Sequence, residues 1–319
     1  MEGLDVSVED IAIVGAGITG ITCARALSGR GMRIRLFDKG RFIGGRLASC
    51  CTGDNMHFDH GAQGIQCSTP EFRAFLEKAG AKLAHWSIGP GDEWCIGTPT
   101  MVDLSRALAS GLDVLQGVTI ERLQRDDGLW HLFAGNDMFR ARQLVLAIPA
   151  PQAARLLGPD HALHDRLSAV RFNACATLMA GIDAPPPFTT RLGRGAVAWV
   201  ANDGAKPGRQ GQRLTTWVAQ ADPVFSARHV DTPLDELARI MAPELLRVVG
   251  APEEALQHAV AHRWRYSQVS VPLGAPFVAD AATSVIVGGD WTLGPYAEDG
   301  WASGREMAGH LLARGVDER

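Results

Sequence analysis

A short apolar run, Ile11-Ala-Ile-Val14, breaks into Gly15-Ala-Gly17-Ile-Thr-Gly20 and then into apolar positions of helical spacing that end at Leu27. A turn at Gly29 and Gly31 follows, and a second run, Arg33-Ile-Arg-Leu-Phe37, closes on Asp38. Short apolar runs bounded by glycine predict buried strands, and apolar residues recurring every three to four positions predict a helix. The chain is therefore expected to open as strand, turn, helix and strand, with an acid at the second strand's tip. Residues 112–123 predict a strand–turn–strand and 129–133 a hairpin arm. Leu144-Val-Leu-Ala-Ile-Pro149 is wholly apolar, as a strand inside a parallel sheet should be, and a helical run over 152–157 follows it. Beyond about residue 160 the texture changes. Strand-like segments at 174–181, 195–200 and 214–218 alternate with loops at Pro185-Pro186-Pro187 and 202–212, and Leu234–Val249 has helical periodicity with Pro243 as its expected kink. Finally Ser284-Val-Ile-Val-Gly288-Gly289-Asp290-Trp291 predicts a strand ending in Gly-Asp, and Glu298-Asp-Gly300-Trp301-Ala302-Ser303-Gly304 opens a helix running to Leu312.

Composition narrows the class. With 319 residues, 46% hydrophobic and 21% charged, the chain has core enough for two domains and too little charge for disorder. A net charge of −4 offers no basic field for nucleic acid. No apolar run approaches the ~20 residues that cross a bilayer. The start lacks a charged-then-apolar leader, and Glu2 excludes the Met-Gly start of myristoylation, so a soluble, cytoplasmic protein is expected. Cys23, Cys50, Cys51, Cys67, Cys95 and Cys175 show no C-x-x-C and no zinc spacing; no metal is expected, and Cys50-Cys51 leaves a redox dithiol open. Of 31 basic residues only Lys39, Lys78, Lys82 and Lys206 are lysines.

The glycine turn carries the first chemistry. Gly15 permits the tight turn, Gly17 lets backbone approach a pyrophosphate, and Gly20 lets the helix pack close to the strand. The helix N-terminus offers free N–H groups and a positive dipole to phosphate, and Asp38 is placed to accept from a ribose diol. A lone G-x-G-x-x-G is weak evidence; here the flanking strand, helix and acid agree. The motif does not by itself separate FAD from NAD. Gly44-Gly45-Arg46, just past the acidic strand tip, points to FAD, because paired glycines let backbone lie against the cofactor and Arg46 can reach phosphate or the flavin edge. At the other end Gly289-Asp290 suits a ribityl hydroxyl, and the helix opening at Gly300-Trp301-Ala302 can stabilise charge on a reduced flavin.

These blocks together resemble the renalase family, particularly its bacterial members, within the wider amine-oxidase-like flavoprotein class. The likeness is carried by the N-terminal V-G-A-G-I-T-G, L-F-D-K and G-G-R, by F-D-H-G-A-Q at 58–63 and by I-G-T-P-T-M at 96–101. It continues through L-V-L-A-I-P-A-P-Q-A-A-R-L-L at 144–157, H-R-W-R-Y at 262–266, and G-G-D-W with E-D-G-W-A-S-G near the end. The resemblance implies an α/β protein. Its Rossmann-like FAD-binding domain, of the glutathione-reductase/p-hydroxybenzoate-hydroxylase-like type, is built from 1–62, 100–158 and 281–319. An interleaved α+β substrate domain takes 63–99 and 159–280. Non-covalent FAD is implied, with Lys39, Gln63, Val118 and Ala147 joining Gly15, Gly17, Gly20, Asp38, Gly45, Arg46, Gly289, Asp290, Gly300, Trp301 and Ala302 around it. The implied activity is oxidation of NAD(P)H or its isomers, hydride passing to flavin N5 and electrons on to O2 to give H2O2.

Such hydride transfer needs orientation more than acid–base help. The catalytic and substrate-facing candidates are Gln63, Trp264, Tyr266, Trp291 and Tyr296. Departures from the family at Gly64-Ile-Gln66, over 84–96 and at Gly294-Pro-Tyr296 leave the substrate open. Amine oxidation competes, but many such enzymes place a lysine near the flavin, and none follows Lys206 here. An oxidase or desaturase of a biosynthetic intermediate, and a non-catalytic flavin-binding protein, are the remaining alternatives.

Overall fold

The computed structural model describes residues 7–52, 56–89, 92–209 and 211–317. Residues 1–6, where a leader was sought in the sequence, lie outside them. The Val8–Val14 strand sits at the centre of an eight-stranded sheet, parallel to Ile34–Asp38 on one side and to Asp137–Leu146 on the other. Val114–Gln116 extends the parallel set beyond Ile34–Asp38, and Val285–Val287 extends it beyond Asp137–Leu146. Ile13 therefore pairs with both Leu36 and Val145, and all three are fully buried, as central parallel strands covered on both faces require. Val278–Asp280, Leu129–Ala134 and Arg122–Asp126 add antiparallel pairs at the margins.

Helices Ile18–Leu27 and Ala297–Asp317 pack together, and the sheet is thus assembled from three separated pieces of chain. The 63–99 excursion, expected with the substrate domain, makes contacts in both directions. Its helix Pro70–Lys78 buries Phe72 and Leu76 in the core that also holds Ile21, Leu27 and Trp301. The apolar spacing of that helix faces the Rossmann-like layer, while Trp86 of the same excursion meets Trp199 edge-on at 6.4 Å.

A second sheet has five antiparallel strands in the order Thr190–Arg194, Val197–Asn202, Thr215–Gln220, Arg171–Ile182, Leu256–Val271. The period of two splits its faces. Leu178, Ala180, Ala219 and Ala261 lie with Leu237, Met241 and Leu245 of helix Leu234–Val249 in one core. The helix continues through Pro243, because Pro243 and Arg239, whose carbonyl it leaves without an N–H, are both on the exposed side. The opposite face carries Cys175, Thr177, His262 and Trp264, with Thr177 paired to His262 and Cys175 to Trp264. No helix among the described residues is long and apolar enough to cross a membrane.

Candidate active site

The C-terminal ends of the parallel strands converge on the glycine turn. Gly15 donates to the Phe37 carbonyl at 2.8 Å and has φ of +106°, and a Cβ there would overlap the Ala147 carbonyl oxygen. A Cβ on Gly20 would overlap the Gly15 carbonyl oxygen, so these two glycines set the approach of helix, turn and strand. Gly17 differs. Its φ is −79°, and a Cβ would meet nothing nearer than the Gly44 carbonyl oxygen at 4.0 Å.

The helix that Gly17 opens has no capping side chain and no acid in its first turn. Its N-terminal N–H groups are therefore left for a ligand, and the dipole favours an anion there. Open space over Gly17, an uncapped helix N-terminus and an acid beside the turn fit the diphosphate and ribose of FAD. Asp38 accepts from Ala16 N–H and Gly40 N–H, both at 2.7 Å, so it braces the turn while keeping lone pairs for a diol. Burial raises its carboxyl above the ordinary value against those two N–H donors and Lys39. Lys39 itself is exposed beside it. Val118 donates to the Asp38 carbonyl at 2.9 Å, and Ala147 to the Val14 carbonyl at 2.8 Å, which places both at the same edge.

Arg46 and Asp290, 244 positions apart, meet as a two-pronged ion pair, and Arg46 also donates to the Ser267 carbonyl at 2.6 Å. Gly45 is exposed next to Arg46, and Gly289 donates to the Ser303 hydroxyl at 3.1 Å. Gly300 seats the last helix on Ile18 and Thr19 of the first, with Ala302 half-buried beyond it. Asp38→Ala and Asp290→Ala are each expected to weaken FAD by about tenfold, the size of one charged hydrogen bond, measured by FAD titration of the apoprotein.

Several aromatic candidates lie elsewhere. Trp291 is fully buried in the core, its indole N–H donating to the Ile148 carbonyl at 3.1 Å. Trp301 packs against Phe72 and Phe75 between helices, and Tyr296 is 58% exposed. Tyr266 meets Phe172 edge-on at 5.6 Å. Trp264 takes part in a site-like cluster: its N–H donates to the His60 carbonyl at 2.9 Å, and its ring lies 5.5 Å from His60 and 4.4 Å from His262. His60 and His262 meet edge-on at 4.8 Å.

Burial lowers the pKa of His60 against the pull of Asp59. Burial, His60 and Arg263 bring His262 down to about 4. Both rings are neutral at pH 7. An unfolded chain binds protons at these sites near pH 6.5, and His262 in the folded one only near 4. Stability is therefore expected to fall as pH drops from about 6.5 to about 4. His262→Gln should flatten that slope of melting temperature against pH.

Gln63 is also placed unexpectedly. It is 3% exposed, its amide N–H donating to the Asp59 carbonyl and its amide oxygen accepting from Lys206 at 3.1 Å. That contact opens onto a quartet the sequence does not disclose. Lys206 lies 2.8 Å from Asp59 and 2.7 Å from Asp203, and Arg209 pairs with the same two carboxylates, with all four side chains fully buried. Burial would raise the Asp59 carboxyl, but Lys206 and Arg209 beside it hold it below the ordinary range. The signal available in sequence was an isolated lysine in G-A-K-P-G-R and the acid of F-D-H-G-A-Q, but only folding joins positions 147 apart.

The NAD(P)-binding Rossmann-like domain family matches residues 13–79, and the flavin containing amine oxidoreductase family matches 86–312. Cyclohexylamine oxidase from Brevibacterium oxydans IH-35A superposes with a TM-score of 0.73 at 14% identity, over 98% of this chain and all of its own. Putrescine oxidase bound to putrescine gives 0.72 at 13% identity, over 96% of this chain and 99% of its own. A protein from Exiguobacterium sp. 255-15, provisionally described as a protoporphyrinogen oxidase, gives 0.74 at 14% identity, over 98% of this chain and all of its own. At such identities the likeness to solved structures is one of fold. The family match spans most of the chain: the protein belongs to the flavin-containing amine oxidoreductases and is an FAD-dependent oxidoreductase.

Proposed function

We propose that the protein oxidises dihydronicotinamides, NAD(P)H or its isomers, and returns the electrons to O2. FAD when bound supplies the electron acceptor, taking two electrons from the substrate and passing them to oxygen. Gly15, Gly17, Asp38, Arg46 and Asp290 would hold it. The observation that carries the reading is a cluster of three uncharged rings with no lysine among its contacts. His60, His262 and Trp264 form that cluster, and both imidazoles are uncharged at pH 7. Lys39, Lys78 and Lys82 are exposed, and Lys206 is enclosed by Asp59, Asp203 and Gln63. A planar, uncharged dihydropyridine suits such a cluster, which would orient a ring and exclude water rather than move protons.

Amine oxidation is the second reading, favoured by the family match over residues 86–312. The two are separated by mixing the FAD-loaded protein anaerobically with NADH preparations containing its isomers and, separately, with primary and secondary amines. Loss of the flavin's visible absorbance in an early phase with the dihydronicotinamides is expected. Bleaching by amines alone would sink the proposal.

A further inference from the structure

We infer that Lys206 is a positioning residue for the FAD site, acting through Gln63 and Asp59 on the 59–63 segment. The inference rests on FAD binding and is independent of the substrate proposed above. A buried lysine with no exposed surface is rare, because its charge must be fully matched. Here Lys206 is matched by Asp59 and Asp203, and its ammonium also lies 4.8 Å from the Trp86 ring centroid. Charge matching alone would be complete with those two carboxylates. The further bond to the Gln63 amide oxygen does something else: it settles which way the amide points, so that the N–H end donates to the Asp59 carbonyl. The 59–63 segment is thereby closed on itself by its own side chain.

Residues 59–62 are each hydrogen-bonded to a different part of the chain. The Asp59 carboxylate accepts from the Ser49 hydroxyl at 2.5 Å and from Met101 N–H at 3.0 Å, and Asp59 N–H donates to Asp203 at 3.1 Å. The His60 carbonyl accepts from Trp264, and the Gly61 carbonyl accepts from Gln220 at 2.9 Å. Ala62 N–H donates at 2.8 Å to the carbonyl of Arg46, whose guanidinium pairs with Asp290. A Cβ on Gly61 would overlap that same Arg46 carbonyl, so the two strands of chain are in close contact. Lys206 thus reaches the Arg46–Asp290 pair and the His60–Trp264 contact through one short, hydrogen-bonded segment, without touching either.

The test uses full-length, FAD-loaded protein. In the Lys206→Met/Asp203→Asn double variant one positive and one negative buried group leave together, so no charge is stranded. It is expected to bind FAD about tenfold more weakly, the scale of one lost charge-assisted hydrogen bond. At saturating FAD its visible flavin circular dichroism should differ from the parent's. Gln63→Met keeps all four charges and nearly the same volume, and should reproduce both the tenfold loss and the spectral change. The triple variant should lose nothing further, because the two residues act through a single contact. Parent-like FAD affinity and spectrum in the double variant, a silent Gln63→Met, or losses that add in the triple variant would each overturn the inference. Should the double variant fail to fold, Gln63→Met decides by itself: the tenfold loss and spectral change uphold the inference, and parent-like behaviour refutes it.

Discussion

Replacing Arg209 by methionine is expected to cost about 3–5 kcal/mol of folding stability, the measured scale for removing one partner of a buried ion pair. The reason is what remains behind. Arg209 pairs with Asp59 and Asp203 and donates to the Pro99 carbonyl at 2.8 Å, all within the interior. Without it two buried carboxylates share a single ammonium, and the surplus negative charge has no water to turn to. Since domains of this kind hold only about 5–15 kcal/mol in total, the loss should appear as a large fall in the denaturation midpoint, with partial unfolding at 37 °C. Arg239→Ala is the matching surface control. Arg239 pairs with Asp235 across one helical turn, with both side chains more than 70% exposed, and such pairs contribute about 0–1 kcal/mol. Equal midpoints for Arg209→Met and the parent would show that the quartet is not the junction described above. The depressed Asp59 carboxyl adds a pH dependence: its contribution is complete above about pH 4, the carboxyl value of an unfolded chain, and is lost as pH falls through the lower folded value.

The second large effect is expected at the glycine turn. Gly15→Ala should yield protein that is colourless as purified and binds FAD at least about a hundredfold more weakly, corresponding to roughly 3 kcal/mol. Two costs combine. A φ of +106° is strained for any residue with a side chain, and the added methyl would overlap the carbonyl of Ala147. That carbonyl cannot easily retreat, because the Ala147 N–H is itself bonded to Val14 in the parallel ladder. Gly17→Ala separates folding from binding. Its backbone conformation is ordinary and its Cβ would enter open space, so the variant should fold as the parent does and lose FAD affinity only. The ratio of visible to 280 nm absorbance, with FAD titration of the apoproteins, checks both. A fully yellow Gly15→Ala would mean that the turn is not the phosphate site.

The Rossmann-like half was legible because its signals are local. Ile18–Leu27 and Ile34–Asp38 fall within a residue or two of their apolar runs, Val8–Val14 begins three residues before Ile11 and ends with its run, and the three glycines are spaced by covalent geometry. Their partners are set by strand order, so Asp38 could be placed beside Gly15 from sequence alone. The aromatic candidates show the opposite case. Trp291 and Trp301 sit in motifs that resemble flavin-contacting blocks, yet burial against Ile148 and Phe72 draws their rings into the core. An indole offers large apolar area, and no local rule says which neighbour will take it.

Lysine makes up only four of the 31 basic residues, and the place of Lys206 among them is set by the fold. By itself the chain determined the opening strand–turn–helix–strand, the glycine turn with Asp38 beside it and the strand tip that carries Asp290, because each is specified by residues close together in the chain. Only the tertiary structure decided that helix Pro70–Lys78 packs with the Rossmann-like core, that Arg46 meets Asp290, that His60 faces His262, and that Lys206 closes on Asp59 and Gln63. Those contacts join positions tens to hundreds of residues apart. They form because two faces exclude water together and each buried charge must then find its partner, a condition that no segment can satisfy alone.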